Sequence, residues 1–194
     1  MEKKEVEQHP LGFFLPENTK LLMLGSFPPP RVRWSMNFYY PNIQNDMWRI
    51  LGLIFYNNKE YFLETKKAFS EEKAKAFCRE KGIGIGDTAM EVIRLKGNAS
   101  DNFLQVVTPL DPAEVLAKIP ACEAIVVTGQ KAMDTLIAML PPVEEPKVGS
   151  YSRFTLSGRI FRLYRMPSSS RAYPKPLEEK AAAYKAMFED LKLI

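Results

Sequence analysis

The run Lys20-Leu21-Leu22-Met23-Leu24-Gly25-Ser26-Phe27-Pro28-Pro29-Pro30 changes character at Gly25. Up to Leu24 it is short, apolar and without alternation, the pattern of a strand buried on both faces. Gly25, Ser26 and the prolines then impose a stiff loop. Two other runs end in the same way. Ala124 to Thr128 (AIVVT) stops at Gly129, and Phe161 to Met166 runs into Pro167-Ser168-Ser169-Ser170. The latter is expected to pair across Ser157-Gly158 with Ser152 to Leu156 as a hairpin, and Leu104 to Val107 supplies a fourth candidate strand.

Helical patterns lie between these runs. Asp46 to Phe55 carries Met47, Ile50, Leu51 and Ile54 at helix spacing, and Gln130 to Leu140 carries Met133, Leu136, Ile137 and Leu140. Ser70 is placed to cap a helix through Lys81, with Glu71 and Glu72 at its positive end. Thr88 with Glu91, and Asp111 with Glu114 behind Pro112, have capping-box spacing. A last helix begins near Pro176. Gly82 to Asp87 (GIGIGD) lacks the phosphate-loop spacing and reads as a helix-ending turn.

Short apolar strands alternating with amphipathic helices predict an α/β fold: three layers, α/β/α, around a mainly parallel central sheet of about four strands. At 194 residues the chain suits one domain, 1–194, with residues 1–18 as an N-terminal arm. A composition 46% hydrophobic and 26% charged excludes a disordered chain. No apolar run reaches the roughly 20 residues of a membrane span, and the charged start (Glu2, Lys3, Lys4, Glu5, Glu7) is unlike a signal peptide. Cys78 and Cys122 are too few for a disulfide framework or a thiolate metal site, which fits a reducing cytoplasm. A formal net charge of +4 is compatible with a polyanionic partner.

In a parallel sheet, ligands sit beyond the carboxyl ends of the strands. Three strand ends, at Gly25-Ser26-Phe27-Pro28, Thr128-Gly129-Gln130 and Met166-Pro167-Ser168-Ser169-Ser170, are therefore expected to converge on one rim. The first continues into RVRWSMNFYYPNIQNDMW, where Tyr39 and Tyr40 offer flat faces and Asn42 and Asn45 offer amides, a combination suited to stacking a nucleobase and reading its edge. The same residues also have ordinary uses, the aromatics in the core and either asparagine as a helix cap. Ser168, Ser169, Ser170 and Arg171 make a hydroxyl-rich loop with one cation, able to hold phosphate or to form a capped turn.

GSFP at the first strand end, YYPNIQNDMW after it and MPSSSRAY at the last strand end together resemble the paired motifs of the uracil-DNA glycosylase superfamily. They are most similar to the hypoxanthine-DNA glycosylase branch, whose motifs run Gly-Ser-Phe-Pro, then Tyr-Tyr-Ala-His-Pro-Arg-Asn-x-Phe-Trp, and finally Leu-Pro-Ser-x-Ser. The resemblance implies that Gly25, Ser26, Phe27 and Pro28 form the catalytic-side loop and that Tyr39 or Tyr40 stacks on an extruded base beside Asn42. It gives Asn45 the catalytic role together with Ser26. It also implies that Met166, Pro167, Ser168, Ser169 and Ser170 pinch the DNA backbone, with Arg171 as wedge.

The chain departs from the pattern at three places. Ser26-Phe27 puts no carboxylate in the first loop, Met166 stands where active uracil-removing members have histidine, and the branch's His-Pro-Arg reads Asn42-Ile43-Gln44. The only histidine, His9, lies in the arm, where a structural role is expected, and Asp87 and Asp101 are candidate distant carboxylates. The expectation is a slow cytoplasmic DNA glycosylase of base excision repair acting on hypoxanthine, uracil or xanthine, without metal or cofactor and favoured to be monomeric. Its alternative is a catalytically silent nucleic-acid or nucleobase-binding protein on the same fold.

Overall fold

The computed structural model describes residues 5–96 and 100–194; Glu2, Lys3 and Lys4 of the expected arm lie outside the described residues. In chain order the elements begin with β1 (Val6–Gln8), β2 (Leu21–Gly25), α1 (Met47–Tyr56), β3 (Leu63–Thr65), β4 (Ala68–Phe69), α2 (Glu71–Lys81) and β5 (Ile83–Asp87). There follow β6 (Ala89–Arg94), β7 (Leu104–Pro109), α3 (Pro112–Ala117), β8 (Ala124–Thr128), α4 (Gln130–Ile137), β9 (Ser150–Leu156), β10 (Arg159–Met166) and α5 (Leu177–Asp190).

The central sheet has five strands in the order β5-β2-β8-β10-β9. The first four are parallel, and only β9 runs antiparallel, as the hairpin partner of β10. Ser157 and Gly158 both take positive φ, as a two-residue hairpin turn requires. Because strand side chains alternate, each strand feeds two cores. Leu21, Met23, Ala124 and Val126 pack with α1, α2 and α5, while Leu22, Leu24, Ile125 and Val127 pack with α3 and α4. This is the expected three-layer α/β/α architecture with a mainly parallel sheet.

Two local expectations are corrected. Gly82 does end α2, with φ +67°, but Ile83–Asp87 is not a turn; it is the outer parallel strand β5. Its glycines leave bare patches where Phe13 and Leu15 of the arm lie, so a Cβ on Gly86 would fall 2.1 Å from the Phe13 ring. Thr88 and Glu91 start no helix, because the backbone there is already claimed by the sheet edge. Thr88 N donates to Gly25 O, Leu110 N donates to Thr88 O, and Ala89–Arg94 continues as β6. The fourth candidate strand exists as β7, but it belongs to a separate small sheet, β1-β6-β7. The arm thus adds a strand of its own, and a Phe14–Ile85 bridge ties it to β5.

The caps at Ser70 and Asp111 form as expected; Asp111 accepts from Ala113 N and Glu114 N. Trp48 is fully buried and donates to Tyr39 O, so it is a core residue. Cys78 and Cys122 are both buried free thiols, pushed up by desolvation, Cys122 to about 11. Among the described residues no helix is long and apolar enough to cross a membrane.

Candidate active site

Parallel pairing puts the ends of β5, β2, β8 and β10 on one rim, with Gly25 opposite Asp87 and Thr128 opposite Met166. A cleft of about 660 Å³ opens there, the size of a small-molecule site. It is lined by Gly25, Ser26, Phe27 and Pro28, by Tyr39, Tyr40, Asn42 and Asn45, and by Ser168, Ser169, Ser170 and Arg171. Thr128, Gly129 and Gln130 complete the rim.

Met166 and Pro167 do not line the cleft. The last side chain of β10 points into the core, where Met166 is buried, and Pro167 O behind it accepts from the buried Tyr184 hydroxyl. The two loops that resemble family motifs are held to each other. Asn45 and Ser170 face each other in an isolated antiparallel bridge, and Asp46 N donates to Ser169 O. Arg171 Nε then bonds Asp46 Oδ1 at 3.1 Å, joining residues 125 apart in sequence.

Asn45 is half-buried, and its Oδ1 accepts from Met47 N at 2.9 Å, so its free polar group is the amide N–H₂. Asn42 Oδ1 similarly accepts from Gln44 N. Each asparagine therefore caps local backbone and still lines the cleft. Tyr39 is buried, with its hydroxyl donating to Gly12 O, whereas Tyr40 is only half-buried. Tyr40 takes φ +52°, an unusual value for a bulky residue, and its Oη lies 3.4 Å from Thr128 Oγ1. Burial holds both phenols in the neutral form.

A carboxylate stands where the first loop supplies none. Asp87, at the end of β5, lines the cleft floor beside Gly25. A Cβ on Gly25 would sit 2.7 Å from Asp87 Oδ1, so only a bare Cα admits the carboxylate here. The other carboxylate oxygen, Oδ2, is 2.7 Å from His9 Nε2, and both side chains are more than nine-tenths buried. Leu11 presents its N–H at 3.1 Å and its carbonyl at 2.6 Å to His9 Nδ1. The neutral ring accepts from the first and the protonated ring donates to the second, and in both states Nε2–H can donate to Asp87.

Asp101 is a second carboxylate in the cleft, accepting from Ser26 Oγ at 2.7 Å. Burial raises its pKa above the usual 3.8, Ser26 opposes the rise, and the negative Asp87 adds to it. The sequence alone gave His9 a structural reading and offered Asp87 both as part of a turn and as a candidate distant carboxylate. The pairing joins residues 78 apart, which no local pattern encodes. The available signal was that the chain's one histidine lies in the arm. Among the described residues no group of three or more His, Cys, Asp or Glu could hold a metal.

The chain is thus an α/β/α sandwich with a cleft of about 660 Å³, lined by two carboxylates, at its carboxyl rim. The chain superposes on the solution structure of a "putative Uracil DNA glycosylase" from Methanosarcina acetivorans with a TM-score of 0.66. The match covers 97% of this chain and 99% of that one at 22% sequence identity, a likeness that establishes a shared fold. No protein-family model matches the chain. No curated protein matches it either.

Proposed function

We propose that this protein is a DNA glycosylase of the uracil-DNA glycosylase superfamily, hydrolysing the N-glycosidic bond of a deaminated base (hypoxanthine, uracil or xanthine) in base excision repair. The observation that carries the reading is the buried Asp87 carboxylate, delivered to a cleft of about 660 Å³ beside the Gly25-Ser26-Phe27-Pro28 loop. The target nucleotide swings out of the DNA at a cost of a few kcal/mol, lowest at a mispair. Its base enters against Tyr40, the more open of the two tyrosines.

The C1′–N bond breaks with its electron pair going to the base, leaving an oxocarbenium-like sugar. The Asn45 amide N–H₂ and backbone donors of the rim stabilise the departing anion. Water adds to C1′ on the opposite face and gives its proton to Asp87, leaving an abasic sugar and the free base. His9 is a positioning residue: it fixes one carboxylate oxygen so that the other meets the water. Ser26, engaged with Asp101, shapes the loop between the two carboxylates. The scheme requires no metal or organic cofactor, and two buried thiols are compatible with work in the cytoplasm.

The test is release of free base from nitrous-acid-treated DNA, read by liquid chromatography and mass spectrometry. The reading expects a hypoxanthine, uracil or xanthine peak that grows with enzyme and time. DNA bound without any free base at stoichiometric protein would instead identify a silent binding protein.

A further inference from the structure

A second cavity, of about 640 Å³, lies beside the base cleft, and Arg171 lines both. Its walls come from α1, the β3–β4 hairpin region, the loop after β10 and the start of α5. Six cations line it: Arg49, Lys59, Lys66, Arg171, Lys175 and Lys180. Among the described residues two carboxylates face them, Asp46 and Glu60. The surplus of four positive charges equals the formal net charge of the whole chain, +4. The groove is therefore a locally basic surface.

The internal pairing does not neutralise that surplus. Both oxygens of Asp46 are already taken, by Arg171 at 3.1 Å and by the buried Lys180 at 3.5 Å. Lys180 also donates to Ser170 O, so it braces the serine loop from behind. Among the described residues no carboxylate comes within ion-pair distance of Arg49, Lys59, Lys66 or Lys175. Arg49 is held by the carbonyls of Ile43 and Asn45, and both its desolvation and the charge of Arg171 lower its pKa. Like charges that outnumber their counter-ions raise the energy of the free protein and fall in energy when an anion enters.

We propose that this groove holds phosphodiester groups of the DNA strand on one side of the extruded nucleotide. The occupant follows from the geometry. The groove begins where the base cleft ends, at the Ser170–Arg171 ridge, so a chain leaving the cleft across that ridge carries its next phosphates over Lys175, Lys66 and Lys59. Within the cleft Asp87 and Asp101 offset Arg33 and Lys131, so apart from the shared Arg171 its lining is neutral and the positive surplus lies on the groove side. Contact with flanking DNA is therefore one-sided. This assignment rests on the glycosylase reading for the position of the extruded nucleotide, but the charge argument stands without any chemistry.

The experiment measures binding by fluorescence anisotropy, using oligonucleotides that carry an abasic-site analogue and are extended only 5′ or only 3′ of it. The proteins are wild type, Lys59→Gln/Lys66→Gln/Lys175→Gln, and the same three positions changed to Arg. In wild type, extension in one direction alone tightens binding. The Gln variant loses that gain and its log Kd–log salt slope falls by about 2 to 3, roughly 0.7 to 0.9 per lost phosphate contact. The Arg variant keeps both. Equal gains from the two extensions, an unchanged salt slope in the Gln variant, or displacement of the DNA by polyglutamate at equal charge concentration would overturn the proposal. Failure of base release with the one-sided, lysine-dependent binding intact would sink the enzymatic reading and leave the groove standing.

Discussion

Gly25→Ala isolates the placement of one carboxylate. The added Cβ would stand 2.7 Å from Asp87 Oδ1, whereas ordinary contact begins at 3.4 Å, so the carboxylate must retreat by about 0.7 Å. It cannot do so freely, because Oδ2 is held by His9 at 2.7 Å and both side chains are buried. A misplacement of this size costs about 10²-fold in rate. Loosening a buried hydrogen bond to a charged group costs about 1.5–3 kcal/mol, a fall in Tm of roughly 3–12 °C for a chain of this length. Single-turnover release from a lesion-bearing oligonucleotide, alongside a thermal melt, reads both effects. Shared cause makes the losses non-additive, so adding Gly25→Ala to Asp87→Asn should lower the rate no further. A wild-type rate in Gly25→Ala, or full additivity with Asp87→Asn, would refute the coupling of Gly25 to the reaction through Asp87.

Other outcomes follow from the same geometry. His9→Phe, which keeps a ring between Phe27 and Tyr39 but removes the donor to Asp87, should lower kcat about tenfold or more with little change in KM; His9→Gln should recover part of the loss. Asp101→Asn keeps an oxygen for Ser26 and removes a carboxyl whose pKa is raised in the fold. Between 3.8 and that raised value the folded state holds more protons than the unfolded, so wild-type stability falls as pH rises through this window. The variant should therefore gain Tm relative to wild type near pH 7, and the gain should vanish below pH 3.8 in melts across pH. Arg159→Met strips donors from four carbonyls, Leu116, Ile119, Pro120 and Cys122, and should cost about 3 kcal/mol, or roughly 6–12 °C in Tm.

The parts of this fold that carry local signals were legible. β2 and β8 are unbroken apolar runs because they are buried on both faces, and the Ser157-Gly158 turn announces the β9–β10 hairpin even though β10 carries Arg159, Arg162 and Arg165. The loops leaving those strands have distinctive compositions, so most cleft residues could be named beforehand. β5 escaped because Gly84 and Gly86 replace half of a strand pattern with positions whose value is to be bare beneath Leu15 and Phe13. β6 was masked by a Thr88–Glu91 spacing that would cap a helix only if the Thr88 backbone were free, and tertiary hydrogen bonds to Gly25 and Leu110 take it first. The His9–Asp87 pair and the lysine groove were invisible for one reason. Each is assembled from segments far apart in the chain, and only the order of strands brings them together.

In the proposed reaction Asp87 takes the proton of the water that displaces the base. The most direct test of that role is single-turnover incision of duplexes carrying one uracil, hypoxanthine or xanthine, followed by alkaline cleavage of the abasic product, with wild type and Asp87→Asn side by side. Asn is close in shape and keeps the fold, so the expected result is cleavage at one or more lesions by wild type and a loss of about 10²–10⁴-fold in the variant. Equal incision by the two proteins, or no incision by either at stoichiometric enzyme, would contradict the account.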